Sequence, residues 1–304
     1  MTSEAWIIDA ARTPRGIGKQ GKGALSHLHP QHLGATVLNA LRDRNGIDTS
    51  EVDDVVWGCS SQSGKQGACI GRMSVLDAGW DTRASAVTID RFCGSGISSV
   101  GFAAASVMAG MEDLVVAGGV EMMSYTATLP PNTLDAGNLH LRDLHPQPHQ
   151  GVCADVIATL EGIGRKEVDS LAHESQRRAA NAIEQGHFDK SLVPVANEDG
   201  SVALEAEEFP RPETTLSGLA ELPTVFDRFM GFPIDDTGET FDGLVRRVYP
   251  DLEINHIHHA GNSSGVVDGA AGLLVASPDY ARGQGWRPRA RVVAMANVAG
   301  SPEL

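Results

Sequence analysis

Short apolar runs alternate with helical stretches through the first 120 residues, and this alternation restricts the fold more than any other feature. Ala5–Ala10 (AWIIDA) reads as a buried strand, followed by a glycine-rich loop from Pro14 to Gly23. Pro30–Arg44 carries Leu33, Val37, Leu38 and Leu41 at helical spacing, with Gly46 just beyond as a stop. Asp54–Gly58 reads as a second strand, Ile70–Ala78 as a helix and Ala86–Phe92 as a third strand. Gly96–Gly110 reads as a small-residue helix and Leu114–Gly118 as a fourth strand. Fully apolar strands separated by helices predict an α/β fold whose parallel sheet is covered on both faces.

From about Ser124 to Asp251 the strand pattern fades, and proline and charge increase. This stretch reads as a long insertion, a lid standing on the α/β layer. Its best helix is Arg165–Gln185, which places Val168, Leu171, Ala172, Ser175, Ala179 and Ile183 near one face. After Asp251 the α/β pattern returns: a histidine-rich strand at Ile254–His259, a turn at Ala260–Gly265, a helix or buried segment, and a strand at Gly272–Ala276. A last strand, Ala290–Ala296, echoes the opening one. The expected organisation is 1–123 as α/β domain, 124–251 as insertion, 252–285 as return to the α/β domain, and 286–304 as the start of a further domain.

Charge limits the partners. Lys+Arg is 24 and Asp+Glu 39, a net charge of −15. Such a balance speaks against nucleic-acid binding and against a polybasic membrane tether. No stretch approaches the ~20 apolar residues of a membrane span, and the acidic N-terminus does not read as a signal peptide. Cys59, Cys69, Cys93 and Cys153 show no CxxC spacing, so a reducing, cytoplasmic location is expected.

Several motif-like matches fail on context. Gly16–Gly21 fits G-x-G-x-x-G, but Gly23, His27 and Pro30 delay the helix that a dinucleotide site requires. Gly58 to Lys65 has the wrong spacing for a phosphate loop, and Gln66 stands where Ser or Thr is needed. Gly261–Gly265 matches a serine-hydrolase elbow, yet no histidine follows His259 to complete the triad order. His256 and His258 alternate on one strand face, but no nearby group supplies further ligands, so structural histidines and no metal are expected.

Cys93 is the strongest candidate. Asp90-Arg91-Phe92-Cys93-Gly94-Ser95-Gly96 lies between strand and helix, where the helix dipole favours a thiolate and backbone N–H groups can hold an oxyanion. The glycines on its C-terminal side are expected to allow the sharp turn; an inert, buried cysteine in a tight turn is the alternative. Cys59, Cys69 and Cys153 lack this setting and are expected to pack. A thiolate needs a base, and His149, in a loop with Pro148 and Gly151, is the most site-like histidine.

At Asp90–Gly96 the chain resembles the nucleophile turn of the thiolase family, the acyl-CoA C-acyltransferases. Ile8–Pro14 resembles the family's opening strand, Ala117–Ser124 its G-G-x-E-x-M-S run, Arg211–Phe226 a CoA-contacting stretch, and Ala260–Gly269 its A-G-N-x-S-x-x-x-D-G signature. The resemblance implies a layered αβαβα fold, here the N-terminal half with an inserted loop domain. It implies that Cys93 attacks a 3-ketoacyl-CoA carbonyl, giving an acyl-enzyme whose acyl group passes to CoA; in reverse, two acyl-CoAs condense. His149, Asn262 and Ser264 would border the substrate pocket, while Arg211, Leu219, Leu222 and Phe226 would contact CoA. Gly218 stands where relatives often carry serine. Coenzyme A is then a substrate, no cofactor is tightly bound, and a homodimer or homotetramer is expected. The family's G-H-P, C-x-G and N-E-A-F motifs do not occur, so the resemblance implies that most of the C-terminal half is absent and activity is impaired. A CoA or acyl-CoA binder, or a half-enzyme completed by a partner chain, are the alternatives.

Overall fold

The computed structural model describes residues 4–130 and 133–304. The chain divides into two compact units. One comprises the residues up to Leu129 with Gly186–Phe209 and Val266–Ala296; the other comprises Pro130–Gln185, Pro210–Gly265 and Asn297–Leu304. Gly186–Phe209 thus packs with the first unit, although it lies inside the stretch that reads as insertion.

The first unit is built on a seven-stranded sheet. Its strands are β1 (Trp6–Arg12), β2 (Gly16–Ile17), β3 (Asp54–Gly58), β4 (Val87–Ile89), β5 (Leu114–Met122), β8 (Val267–Ala276) and β9 (Ala290–Arg291), and the order is β4-β3-β5-β8-β1-β9 with β2 on β8. A separate small ribbon pairs β6 (Val195–Ala196) with β7 (Val202–Leu204). The sheet is mixed, which corrects the parallel expectation. β3 runs parallel to β4 and β5, but β8 is antiparallel to both β5 and β1. Apolar patterning reports burial and not direction, so it could not reveal that the strand after the insertion enters the sheet reversed.

Other boundaries shift too. β5 runs on to Met122, β4 is confined to three residues, and β9 to two. β8 begins at Val267, where a helix or buried segment was expected. Ile254–His259, expected as a strand, belongs to no regular element and pairs with no strand among the described residues.

Helix α1 (Pro30–Asn45) starts with Pro30 in its first turn and stops at Gly46, whose φ of 62° suits a residue without Cβ. With α2 (Ile70–Asp77) it covers one face through Leu33, Val37, Leu38, Leu41, Ile70 and Val75, packed around Trp57. Helix α3 (Ser95–Ala109) covers the other, setting Ala103, Ala104 and Val107 on Val56, Val115, Ala117 and Val275. Small residues bring this helix close to the sheet. By length and composition alone the window Phe92–Ala109, with mean hydropathy 1.4, would be long and apolar enough to cross a membrane. Here its inward face is part of the sheet core. The short helices α4 (Met123–Thr126) and α10 (Pro278–Gly283) complete this unit.

The second unit holds α5 (Leu139–Leu144), α6 (Gln150–Leu160), α7 (Arg165–Glu184), α8 (Leu216–Ala220) and α9 (Phe241–Val248). Its apolar cluster is small: Val152, Val156 and Val245, with Phe226, Met230, Phe241 and Tyr249 partly buried beside them. Helix α7 lies where the spacing places it, but its buried residue is Asp169, while Leu171 is 72% exposed and Ile183 is exposed as well. That corrects the expected apolar face.

Candidate active site

Cys93 is exposed and immediately precedes Gly94, the N-cap of α3. The left-handed residue of its turn is not a glycine. Gly94 has φ −87°, whereas Phe92 has φ 47°, an uncommon conformation for a bulky side chain. Two side chains hold the turn there. Asp90 Oδ1 accepts from the Phe92 N–H at 2.7 Å; Ser95 Oγ accepts from the Arg91 N–H at 2.8 Å and donates to the Phe92 carbonyl at 2.6 Å. Phe92 itself is 63% exposed, so the side chain escapes crowding that would oppose this backbone. The result is a sulfur presented at a helix N-terminus by a braced, strained turn.

The sulfur opens on a cavity of about 1100 Å³ lined by residues of the first unit alone. Phe92, Ile97, Val100 and Met295 make its apolar wall, and Arg12, Arg15, Ser60, Ser61 and Glu121 contribute polar groups. No histidine lines it among the described residues. Glu121 is fully engaged: it accepts from the N–H groups of Ser60 and Ser61, at 2.9 and 3.3 Å, and from Gln66 Nε2 at 2.6 Å. Gln66 Oε1 accepts in turn from the Met122 N–H at 2.7 Å, so this buried pair ties the loop after β3 to β5.

The other cysteines differ. Burial, with the Glu121 charge beside it, pushes the Cys59 thiol up to about 12, and burial raises that of Cys153. Cys69 departs from expectation: it is exposed and forms the N-cap of α2 with φ 54°. Thr88 Oγ1 lies 3.5 Å from its sulfur.

In the second unit, His149 is the N-cap of α6 and its Nδ1 accepts the Gly151 N–H at 3.1 Å. It stacks on Phe229 at 5.6 Å between centroids, with Phe226 and Phe241 also against it. Burial lowers its pKa below the ordinary histidine value. A neutral ring whose Nδ1 accepts carries its proton on Nε2, so the free nitrogen is a hydrogen-bond donor and not a base. This arrangement removes His149 from the role of base that its sequence context suggested.

Asn262 is committed to the scaffold: Oδ1 accepts the His259 N–H at 2.7 Å, and Nδ2 donates to Asp169 at 2.9 Å and the Ile257 carbonyl at 3.2 Å. Ser264 is exposed. Leu219 is buried, and a Cβ on Gly261 would lie 2.6 Å from Leu219 and 2.8 Å from Leu222, so a side chain there would displace both leucine ends. Phe226 packs on His149 and Gly151. Gly218 gives its N–H to Thr215 Oγ1 at 3.1 Å, capping α8. Arg211 is exposed, and its backbone N–H is held by Gln176 of α7 at 2.9 Å.

The three consecutive-region histidines are oriented by carboxylates. Buried Asp155 accepts Nδ1–H of His256 at 2.7 Å and of His258 at 2.6 Å, together with the N–H groups of Ile257 and His258. One carboxylate thus orients both rings through Nδ1. His259 donates Nε2–H to Asp169 at 2.8 Å and accepts the Gly261 N–H at Nδ1. Asp155 escaped sequence reading because its partners lie about a hundred residues away; Asp169 has Arg165 one turn before it, but its other partners, His259 and Asn262, are just as remote. Arg12 and Arg15 could have been noticed in the opening motif; their partner Glu207 had no local signal.

The family model described as thiolase, N-terminal domain, matches residues 5–232. A 3-oxoadipyl-CoA/3-oxo-5,6-dehydrosuberyl-CoA thiolase of Escherichia coli is 36% identical over 99% of this chain and 73% of its own length. A beta-ketoadipyl-CoA thiolase of Pseudomonas aeruginosa is 34% identical over 100% of the chain and 73% of its length. A 3-ketoacyl-CoA thiolase of Yersinia pestis is 33% identical over 98% and 71%, respectively. With the mixed sheet, the braced cysteine turn and these matches over nearly every residue, the chain belongs to the thiolase family.

Proposed function

We propose that this chain performs thiolase-type acyl transfer on acyl-CoA thioesters through Cys93. The observation that carries the reading is the exposed Cys93 sulfur on its braced turn, facing a cavity large enough for an acyl chain. In thiolysis the sulfur attacks C3 of a 3-oxoacyl-CoA, the C2–C3 bond breaks, and acetyl-CoA leaves after its C2 takes a proton. CoA then takes the acyl group from Cys93. Splitting the transfer in two lowers each barrier. The backbone N–H groups at the helix N-terminus would hold the oxyanion that forms on attack. His149, with its Nε2–H, would donate to a substrate carbonyl; Ser264, Arg211, Leu219, Leu222 and Phe226 would serve CoA and its pantetheine arm, with Asn262 supporting from the scaffold. CoA enters as substrate, and a homodimer or homotetramer is the proposed assembly.

A second reading, a half-enzyme completed by a partner chain, draws on α3, whose Ile97, on the cavity wall, and Phe102 are both exposed. The same experiment separates the two. The chain is mixed with acetyl-CoA and weighed by intact mass spectrometry beside Cys93→Ala, then assayed for acetoacetyl-CoA thiolysis. One acetyl group on Cys93 and turnover supports the first reading; acetylation without turnover favours the second. No acetyl adduct, or an equal adduct on Cys93→Ala, overturns acyl transfer through Cys93.

A further inference from the structure

Three charged side chains line the Cys93 cavity, and they are not equivalent. Glu121 is consumed by the loop after β3, as described above. Arg12 gives Nη1 to Glu207 Oε1 at 2.6 Å and to the Thr13 carbonyl at 3.3 Å, and its guanidinium lies over the Phe188 ring at 4.9 Å. Arg15 spends only Nε, on Glu207 Oε2 at 3.0 Å; among the described residues Nη1 and Nη2 have no partner, and the side chain is 44% exposed.

The surrounding charges sharpen the contrast. Glu207 is one buried carboxylate serving two guanidinium groups and the Arg15 N–H. Glu208, next in the chain, accepts the N–H groups of Ile17 and Ala24 at 2.8 and 3.1 Å, so its negative charge is turned to the backbone. Both arginines therefore keep donors free, but Arg15 is the more exposed of the two, held from behind at Nε and open at its two terminal nitrogens, whereas Arg12 is stacked on Phe188 and held at Nη1. A fork of this kind matches one carboxylate bidentately. The several phosphate charges of CoA would call for several uncompensated cations, and the two guanidinium groups of this wall already share the Glu207 carboxylate.

We infer that Arg15 is a specificity-determining residue, selecting acyl groups that end in a carboxylate for transfer to Cys93. The inference rests on acyl transfer through Cys93 proposed above. In the step concerned, the Cys93 sulfur bonds to the thioester carbonyl carbon as the carbon–sulfur bond to the carrier breaks, and the Cys93 thiol proton ends on the departing thiol. A dicarboxylic acyl group carries a terminal carboxylate for Arg15 to hold in the same cavity; a monocarboxylic one of equal length leaves the guanidinium unanswered.

The test uses N-acetylcysteamine thioesters, which contain no phosphate, beside the corresponding CoA thioesters. Acylation of Cys93 by adipyl and by hexanoyl donors is timed by intact mass for the native chain, Arg15→Ala and Arg15→Lys, with acetyl-CoA as a common control. The native chain should prefer adipyl. Arg15→Ala should slow adipyl transfer about ten-fold or more, in keeping with loss of a charge-assisted pair, and change hexanoyl transfer less than about two-fold. Arg15→Lys should retain part of the preference, which keeps the test decisive if the alanine variant folds poorly. Equal loss on both acyl groups, or no native preference, overturns the inference alone. An effect confined to the CoA donors also overturns it, since Arg15 would then be reading phosphate. If even acetyl-CoA leaves Cys93 unmodified, the underlying acyl-transfer reading fails and takes this one with it.

Discussion

The two units bury different kinds of groups. In the first, Trp57, Leu33, Leu38, Leu41, Leu114 and Leu274 are all fully buried around a hydrogen-bonded sheet, and the backbone ladders determine where each side chain goes. The second has a small apolar cluster but buries Arg142 with Asp135, and Asp155 and Asp169 with their histidines. A sheet can organise itself from non-directional burial because its ladders supply the geometry. A segment such as 254–265, which has no ladder, needs directional contacts instead, and a buried carboxylate that collects several N–H donors supplies them. Each such carboxylate is also a point of failure, since removing it leaves its donors buried and unanswered.

The largest effect that this contrast predicts comes from Asp155→Ala. Four donors, two imidazole and two backbone, lose their acceptor together. Breaking such a buried network costs about 3–5 kcal/mol. Hydrogen exchange resolved by peptide should show that loss in 150–185 and 210–265, while the β5–β8 ladder keeps its native protection. Equal deprotection of both units would mean that they unfold as one, and the contrast would have no energetic content.

A smaller effect should come from pH. Burial holds the pKa of His149 below its ordinary value, and burial is also the main reason why that of His259 is low, with Arg165 and His258 adding to it and Asp169 opposing. Below about pH 6.5 the unfolded chain binds protons that these folded rings refuse. Their contribution is therefore complete above that pH and is lost as the pH falls. In the first unit, burial raises the carboxyl groups of Asp54 and Asp268, which has the opposite sign: stability is present at low pH and lost as pH rises through their folded values. In the first unit His29 is lowered too, by burial and the Lys65 charge, and acts against the two aspartates. Lowering the pH from about 7.5 to about 5.5 should therefore increase proteolytic cleavage in the second unit more than in the first. The reverse pattern would show that the buried histidines are charged in the folded state.

The same contrast explains which features were legible in the sequence. β3 and α1 could be read almost to the residue, because a continuous apolar run and a capped helical spacing are local signals. Cys93 could be found because strand, cysteine and glycines stand side by side. The direction of β8 was not legible, because a buried strand has the same composition whichever way it runs. Nor was the strain at Phe92, since a left-handed aromatic is made possible by Asp90 and Ser95 and not by its own identity. Asp155 was hidden because its partners are about a hundred residues away, and the alternating His256 and His258 suggested a strand and weighed as metal ligands when both serve Asp155.

Leu171 in α7 provides the smallest effect and the most direct break between pattern and packing. Its spacing with Val168, Ala172, Ser175 and Ala179 marks it as a core position, and a core leucine replaced by a smaller residue costs about 2–5 kcal/mol. The helix instead buries Asp169, whose carboxyl is pulled below its ordinary value: burial pushes it up, but the hydrogen bonds from His259, Arg165 and Asn262 prevail. Leu171 is left largely in water. Leu171→Gln should therefore change stability by no more than about 0.5 kcal/mol, measured as a shift in the denaturant midpoint of the second unit. Glutamine keeps the helix propensity close to that of leucine, so the substitution tests packing alone. A loss of several kcal/mol would return the apolar face of α7 to the core and remove Asp169 as the reason this helix is held.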